Sequence, residues 1–271
     1  MPTNPLSIKL VVFDWAGTTI DFGCMAPVGA FVATFATRGV AVTLAEARGP
    51  MGLHKKDHLR AMLRTDAVGA KWREAVGRDW TEADVEELYR DVTPRQVEAA
   101  ARYSDLIPRV VETVTELRAR GIKIAATTGY FREAADVVLT AAKRQGYEPD
   151  FHICADDVPA GRPAPWMIFR CMEALGVYPP AAVMKVGDTV VDIEDGRNAG
   201  CWSVGVVDSS NEMGLTAAEF AALPPGDREA RRERVQQRYM AADAHCFLNH
   251  LGELPALVAV LDKGLAKGQR P

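Results

Sequence analysis

The chain has 271 residues, long enough for one large domain or two modest ones around a sizeable core. Acidic residues outnumber basic ones by 36 to 32, and the net charge of −4 argues against a nucleic-acid binder driven by a basic surface, while leaving room for a local pocket that holds a small anion. No apolar run approaches membrane-spanning length and no basic-plus-apolar signal opens the chain, so a cytoplasmic protein without membrane contact is expected.

The first element is the apolar run Lys9-Leu10-Val11-Val12-Phe13, which ends in Asp14 and a turn containing Gly17. A short continuous run of β-formers bounded by turn residues predicts a buried parallel strand. Ligands in open α/β sheets bind beyond the carboxyl ends of such strands, which is where Asp14 falls; a carboxylate that only starts a turn is the alternative reading. Helical spacing follows over Ala26 to Arg38 and stops at Gly39. Thr43-x-x-Glu46 has the form of a capping box opening a short helix. Helices are then predicted over Leu53 to Arg64, Ala67 to Val76 and Thr81 to Ala101. No strand pattern occurs from Asp21 to about Tyr103. Residues 21–103 therefore read as an all-helical domain inserted into an α/β domain formed by 1–20 and 104–271.

Strands and helices then alternate. A helix over Pro108 to Arg120 leads to a strand over Ile122 to Ala126, which runs into Thr127-Thr128-Gly129-Tyr130. A helix over Arg132 to Arg144, a short strand over Phe151 to Ile153 and a helix over Ala164 to Leu175 follow. Ala182 to Val186 reads as a strand ending at Gly187-Asp188-Thr189, followed by a helix over Val191 to Asn198 and a strand over Trp202 to Val207. A helical region from Thr216 to Tyr239, broken at Pro224-Pro225, an edge strand over Ala244 to Phe247 and a helix from Leu251 complete the chain. This order predicts an α/β fold whose core is a doubly wound, Rossmann-like parallel sheet. Asp14, Thr128 and Asp188 would then meet along one edge of that sheet. The five cysteines (Cys24, Cys154, Cys171, Cys201 and Cys246) are scattered and lack a Cys-x-x-Cys pair, which predicts free thiols.

The chemistry-bearing residues follow from these positions. Asp188 and Asp192, with Asp14, could form an oxygen site for Mg²⁺; an Asp cap on the next helix is the alternative. Thr128 can offer a hydroxyl, and Gly129 permits close backbone approach at a helix start. Arg162, in a Pro- and Gly-rich loop, can grip two oxygens of an anion or be a solvated loop residue. On a helix from Leu53, Lys55, Leu59, Met62 and Leu63 share an apolar stripe, whereas Lys56, Arg60 and Arg64 share a charged one. Lys56 belongs to solvent. Lys55 belongs to a buried or pocket-facing side, where it is either a packed stem with a solvated amine or a desolvated nucleophile. His58 lies three residues on, within reach for proton exchange. His54 and His58 have metal-ligand spacing, but no third ligand is evident.

Phe13-Asp14-x-x-Gly17-Thr18 resembles the first motif of the haloacid dehalogenase superfamily, whose members form an aspartyl phosphate. Most phosphatases there carry an acid two residues after the nucleophile; here that position is Ala16. With Asp21, Gly23-Cys24 and Met51-Gly52-Leu53-x-Lys55-x-Asp57-His58, the pattern is similar to the phosphonatase (phosphonoacetaldehyde hydrolase) family. The resemblance implies that Asp14 is the nucleophile and that Asp14, the main-chain carbonyl of Ala16 and Asp188 bind Mg²⁺, with Asp192 as support or outer ligand. It implies phosphonyl binding by Thr128, Gly129 and Arg162, an imine on Lys55 with His58 moving protons, and Met51, Cys24 and Tyr130 lining the substrate site. It also implies a small phosphonate as substrate and a homodimer formed through the cap. The missing acid at Ala16 fits this chemistry: an ester oxygen leaves with a proton, whereas a carbanion needs an electron sink. A phosphate-monoester phosphatase of the same superfamily and a non-catalytic binder of a phosphorylated metabolite are the alternatives.

Overall fold

In the computed structural model, which describes residues 6–271, the first apolar run becomes strand β1 (Leu10–Phe13), buried throughout. Five helices of the insert follow: α1 (Met25–Ala36), α2 (Leu44–Arg48), α3 (Lys55–Arg64), α4 (Asp66–Val76) and α5 (Glu82–Arg102). The chain continues through α6 (Val110–Ala119), β2 (Lys123–Thr128), α7 (Arg132–Arg144), β3 (Phe151–Cys154), α8 (Trp166–Leu175), β4 (Val183–Gly187) and α9 (Val190–Asn198). It ends with β5 (Trp202–Val206), α10 (Ala217–Ala222), α11 (Pro225–Ala241), β6 (Cys246–Leu248) and α12 (Leu254–Ala266).

The six strands are ordered β3-β2-β1-β4-β5-β6, and every pairing is parallel. Phe13 pairs with Ala126 on one side and Val186 on the other. This register brings Asp14, Thr128 and Asp188, each just beyond or at a strand end, to the same edge. Alternate residues of β1 serve opposite layers, which is why the run is apolar without interruption. Val11 and Phe13 join the core beneath α6, α7 and α12, while Leu10 and Val12 meet Met167, Ile168 and Cys171 of α8.

The inserted helices share the first of these cores through Phe31, Leu59 and Met62. α1 packs along α5, α3 against α4 and α5, and α5 against α7. The capping box at α2 is present in both directions: Glu46 N donates to Thr43 Oγ1 at 3.1 Å and Thr43 N to Glu46 Oε2 at 2.7 Å. α3 starts at Lys55 rather than Leu53 because His54 caps it, its Nδ1 accepting from Lys56 N at 3.3 Å. The last helix begins three residues later than expected, since a single 3₁₀ turn, Leu251–Glu253, precedes it. β6 is likewise displaced from its expected span, to Cys246–Leu248, by its pairing with Val204–Val206. All five cysteines are free thiols. Among the described residues no helix is long and apolar enough to cross a membrane.

Candidate active site

Asp14 follows β1 directly and is 6% exposed. Arg162 reaches it from the loop before α8, with Nη2 2.7 Å from Asp14 Oδ1. The same guanidinium donates to Thr127 O at 2.8 Å and Thr127 Oγ1 at 2.6 Å, and its Nη1 lies 2.9 Å from Asp192 Oδ1. Arg162 is thus an internal cation, not a solvated loop residue. Lys185, in the middle of β4, completes the arrangement: its Nζ is 2.8 Å from Asp192 Oδ1 and donates to Thr127 Oγ1 at 3.2 Å. Thr127 therefore faces inward to the two cations. Thr128 lines the cavity, its Oγ1 accepting from Tyr130 N at 3.1 Å.

Asp188 closes the other side and is fully buried. Its Oδ2 accepts from Asn211 N at 2.8 Å and its Oδ1 from Thr18 Oγ1 at 3.4 Å. Gly17 is required beside it: φ is +81°, and a Cβ there would lie 2.0 Å from Asp188 Oδ2. Carboxylate oxygens of Asp14, Asp188 and Asp192 lie within 4.8 Å of one another. Their electrostatics differ. Burial raises Asp192, but Arg162 and Lys185 outweigh it and hold that carboxyl at about 2. Asp188 is pushed well above the ordinary range by burial and by the charge of Asp14, and Asp14 is pushed up chiefly by burial, against the pull of Arg162. The donor set fits a hard divalent cation between Asp14 and Asp188, with Ala16 on the same cavity wall. Asp192 already has two cationic partners, which suits supporting contact better than direct ligation.

Lys55 faces this cavity from α3 and is 4% exposed. Its amine lies 4.9 Å from the centre of the Tyr130 ring and 5.8 Å from that of Phe31. Burial lowers its pKa to about 8. Lys56 instead turns outward and pairs with Glu86 on the surface of α5. The two stripes of α3 are therefore a buried and a solvated one, as the periodicity predicts. Met51, Cys24, Gly129 and Tyr130 also line the cavity. The Cys24 thiol is pushed up by burial and then by the Asp188 charge, so it keeps its proton.

His58 is brought near Lys55 but not into the cavity wall. Its ring stacks on Phe31 with centroids 3.8 Å apart, and Nε2 lies 2.9 Å from Ala47 O. A carbonyl only accepts, so Nε2 carries the proton. Burial and then the Lys55 charge hold the ring neutral, well below the usual histidine range. Its Nδ1 has no hydrogen-bond partner and presents a lone pair. His58 in this state offers a lone pair at Nδ1 but has no proton to give there, and its burial beside Lys55 makes it a weak base, which narrows the expected role. His54 turns elsewhere, with Nε2 3.1 Å from Asp156 Oδ1, so the two histidines share no ligand position.

Sequence reasoning missed Lys185, Asp195 and Asn211. A lysine inside the apolar strand Val183–Gly187 was a readable signal. Asp195 lies 3.5 Å from Arg162 Nε and is raised to about 7 by burial, against the pull of Lys185. Asn211 carried no signal, because its contact with Asp188 is made by the backbone.

A family model described as haloacid dehalogenase-like hydrolase matches residues 8–200. A phosphonoacetaldehyde hydrolase of Syntrophobacter fumaroxidans is 46% identical over 264 residues, covering 97% of this chain and 95% of that protein. One from Bacillus cytotoxicus is 45% identical over 258 residues, covering 95% and 98%. The crystal structure of a phosphonoacetaldehyde hydrolase-like protein from Oleispira antarctica matches with a TM-score of 0.97 and 38% identity over 100% of this chain and 99% of that one.

Proposed function

The chain belongs to the haloacid dehalogenase-like hydrolase family, in the phosphonoacetaldehyde hydrolase branch, and from that premise we propose that it hydrolyses phosphonoacetaldehyde to acetaldehyde and phosphate. The observation that carries the reading is the single cavity shared by Asp14 and Lys55, one from the sheet and one from the inserted helices. Residues 21–103 act as a cap over a core formed by 1–20 and 104–271, and the cap mediates a homodimer. The aldehyde is anchored by the cap and the phosphonyl group by the core.

Lys55, part of it neutral near pH 7 because burial lowers its pKa to about 8, attacks the aldehyde carbon and loses water to give a protonated imine. Asp14 then attacks phosphorus. The P–C bond breaks, and its electron pair moves into the imine to leave an enamine on Lys55. Water hydrolyses the aspartyl phosphate, while the enamine gains a proton and the resulting imine is hydrolysed to acetaldehyde. Thr128, Gly129 and Arg162 hold phosphonyl oxygens, and Lys185 shares with Arg162 the task of balancing the charge of Asp192. His58 Nδ1 accepts a proton during imine chemistry. Asp14, Asp188 and the Ala16 carbonyl would hold Mg²⁺, which when bound would supply the positive charge that lets two anions approach.

The test is release of both phosphate and acetaldehyde from phosphonoacetaldehyde, compared with phosphate release from simple monoesters. Asp14→Ala, checked for folding by circular dichroism, should retain less than about a thousandth of the activity, a loss above about 4 kcal/mol. Equal turnover of monoesters would favour the phosphatase reading, and no turnover of either class the binding one.

A further inference from the structure

Arg48 ends α2, in the helical insert, and its guanidinium is spent on neutral oxygen and sulfur atoms. Nη1 donates to Gly23 O at 2.7 Å and to Asn211 Oδ1 at 3.1 Å, and Nη2 to Met25 Sδ at 3.1 Å. Acids of the facing segment are engaged elsewhere, Asp208 with Arg232 and Glu212 with Arg238. Asn211 answers by donating Nδ2 to Arg48 O at 3.4 Å. The same asparagine, 4% exposed, gives its backbone N–H to Asp188 Oδ2 at 2.8 Å. One residue thus touches the insert with its side chain and a proposed metal ligand with its main chain.

The segment around Asn211 is held from both sides. Ser209 Oγ donates to Gly17 O at 2.7 Å on the sheet side, and Gly23 N donates to Ser209 O at 2.8 Å on the insert side. The second contact is close-fitting, since a Cβ on Gly23 would lie 2.0 Å from Leu215 O. α2 is also tied to α3, because His58 Nε2 donates to Ala47 O at 2.9 Å. The helix that carries Lys55 and the helix that carries Arg48 are therefore linked.

We infer that Arg48 is a positioning residue: through Asn211 it makes the seating of Asp188 conditional on the approach of the insert to the sheet. The inference rests on the role proposed above for Asp188. When the insert lifts, Asn211 Oδ1 loses its donor and the 209–213 segment loses its outer support. When the insert docks, Lys55 and a correctly held Asp188 arrive together. By linkage, whatever orders Asp188 also favours docking. The two-state element that couples them is this segment, held or released.

The test uses the full-length protein and the variant Arg48→Met, which keeps the stem and removes the donors. Its kcat on phosphonoacetaldehyde should fall about tenfold to a hundredfold, as for a reacting group displaced by an ångström or less. Amide hydrogen exchange across 209–213 should accelerate. Borohydride trapping of acetaldehyde on Lys55, which needs the amine but not Asp188, should fall much less than kcat does. Asn211→Ala should reproduce these effects, and the double variant should match the slower single one within about twofold. Unchanged exchange with unchanged kcat would overturn the inference, as would multiplied losses in the double variant. Trapping lost in step with kcat would reduce Arg48 to a packing role. If the wild-type protein is not trapped, the Lys55 reading fails, while exchange across 209–213 still decides whether Arg48 holds this segment. If Arg48→Met does not fold, Asn211→Ala carries the same measurements.

Discussion

Lys55 and Lys56 are neighbours in the chain with different surroundings. Lys55 lies between the rings of Tyr130 and Phe31, and burial brings its pKa down from 10.5 to about 8. About a tenth of such amines are neutral at pH 7, against less than about a thousandth for a solvated lysine. Borohydride reduction in the presence of acetaldehyde should therefore label Lys55, at a rate rising about tenfold per pH unit below 8 and levelling above it. Lys55→Arg should lose P–C cleavage, and Lys56→Arg should be nearly silent because Lys56 meets Glu86 and the Tyr89 ring at the surface, contacts a guanidinium can also make. An adduct on Lys56, or a flat pH profile, would break this account. The distinction was legible because a helix separates adjacent residues by about 100° and the apolar partners of Lys55 recur at helical spacing. The state of His58 was not legible: it depends on Ala47 O, eleven residues back, and on the stacked ring of Phe31.

At the scale of elements, the site depends on two turns meeting face to face. Met51-Gly52-Leu53 leads into α3, and Gly129 follows β2. A Cβ on Gly129 would lie 2.6 Å from Leu53 O and 2.8 Å from Gly52 O, and both obstacles are backbone. Gly129→Ala must push the insert away from the sheet. It should lower kcat/KM for phosphonoacetaldehyde by about a hundredfold or more, since small displacements from reacting geometry are that costly. Stability should fall by only about 1–3 kcal/mol, as for overpacking. Near-wild-type kcat/KM in this variant would show that the seam does not need to close. The sequence pointed to a glycine here for close backbone approach at a helix start, but this steric need lies in a contact between segments 76 residues apart by number, which no local pattern encodes. Where the deciding forces are local, the reading was close: the capping box at Thr43, the proline break between α10 and α11, and the span of α7 follow from side chains within a turn or two.

At the scale of the molecule, the sheet edge was predictable because parallel strands bring their carboxyl ends together, and the register of β1 with β2 and β4 delivers Asp14, Thr128 and Asp188 there. Less predictable was how charge is balanced inside. Four buried aspartates, Asp14, Asp188, Asp192 and Asp195, face two buried cations, Arg162 and Lys185. Both cations converge on Asp192, while burial raises the proton affinity of Asp14, against the pull of Arg162, and that of Asp188, the more so because Asp14 repels its charge. A divalent cation removes that repulsion, but it needs both carboxylates ionised. Lowering the pH toward the ordinary carboxylate value of 3.8 protonates these raised groups first, so protons compete with the metal well before exposed acids titrate. Mg²⁺ should therefore raise the melting temperature more at pH 7.5 than at pH 5, relative to chelator-treated protein, and Asp188→Asn should remove most of that difference. Activity should vanish with the chelator and return with Mg²⁺. Equal stabilisation by Mg²⁺ at both pH values, or the same increment in Asp188→Asn, would mean that the ion binds elsewhere and that the buried aspartates balance their charge by protons alone.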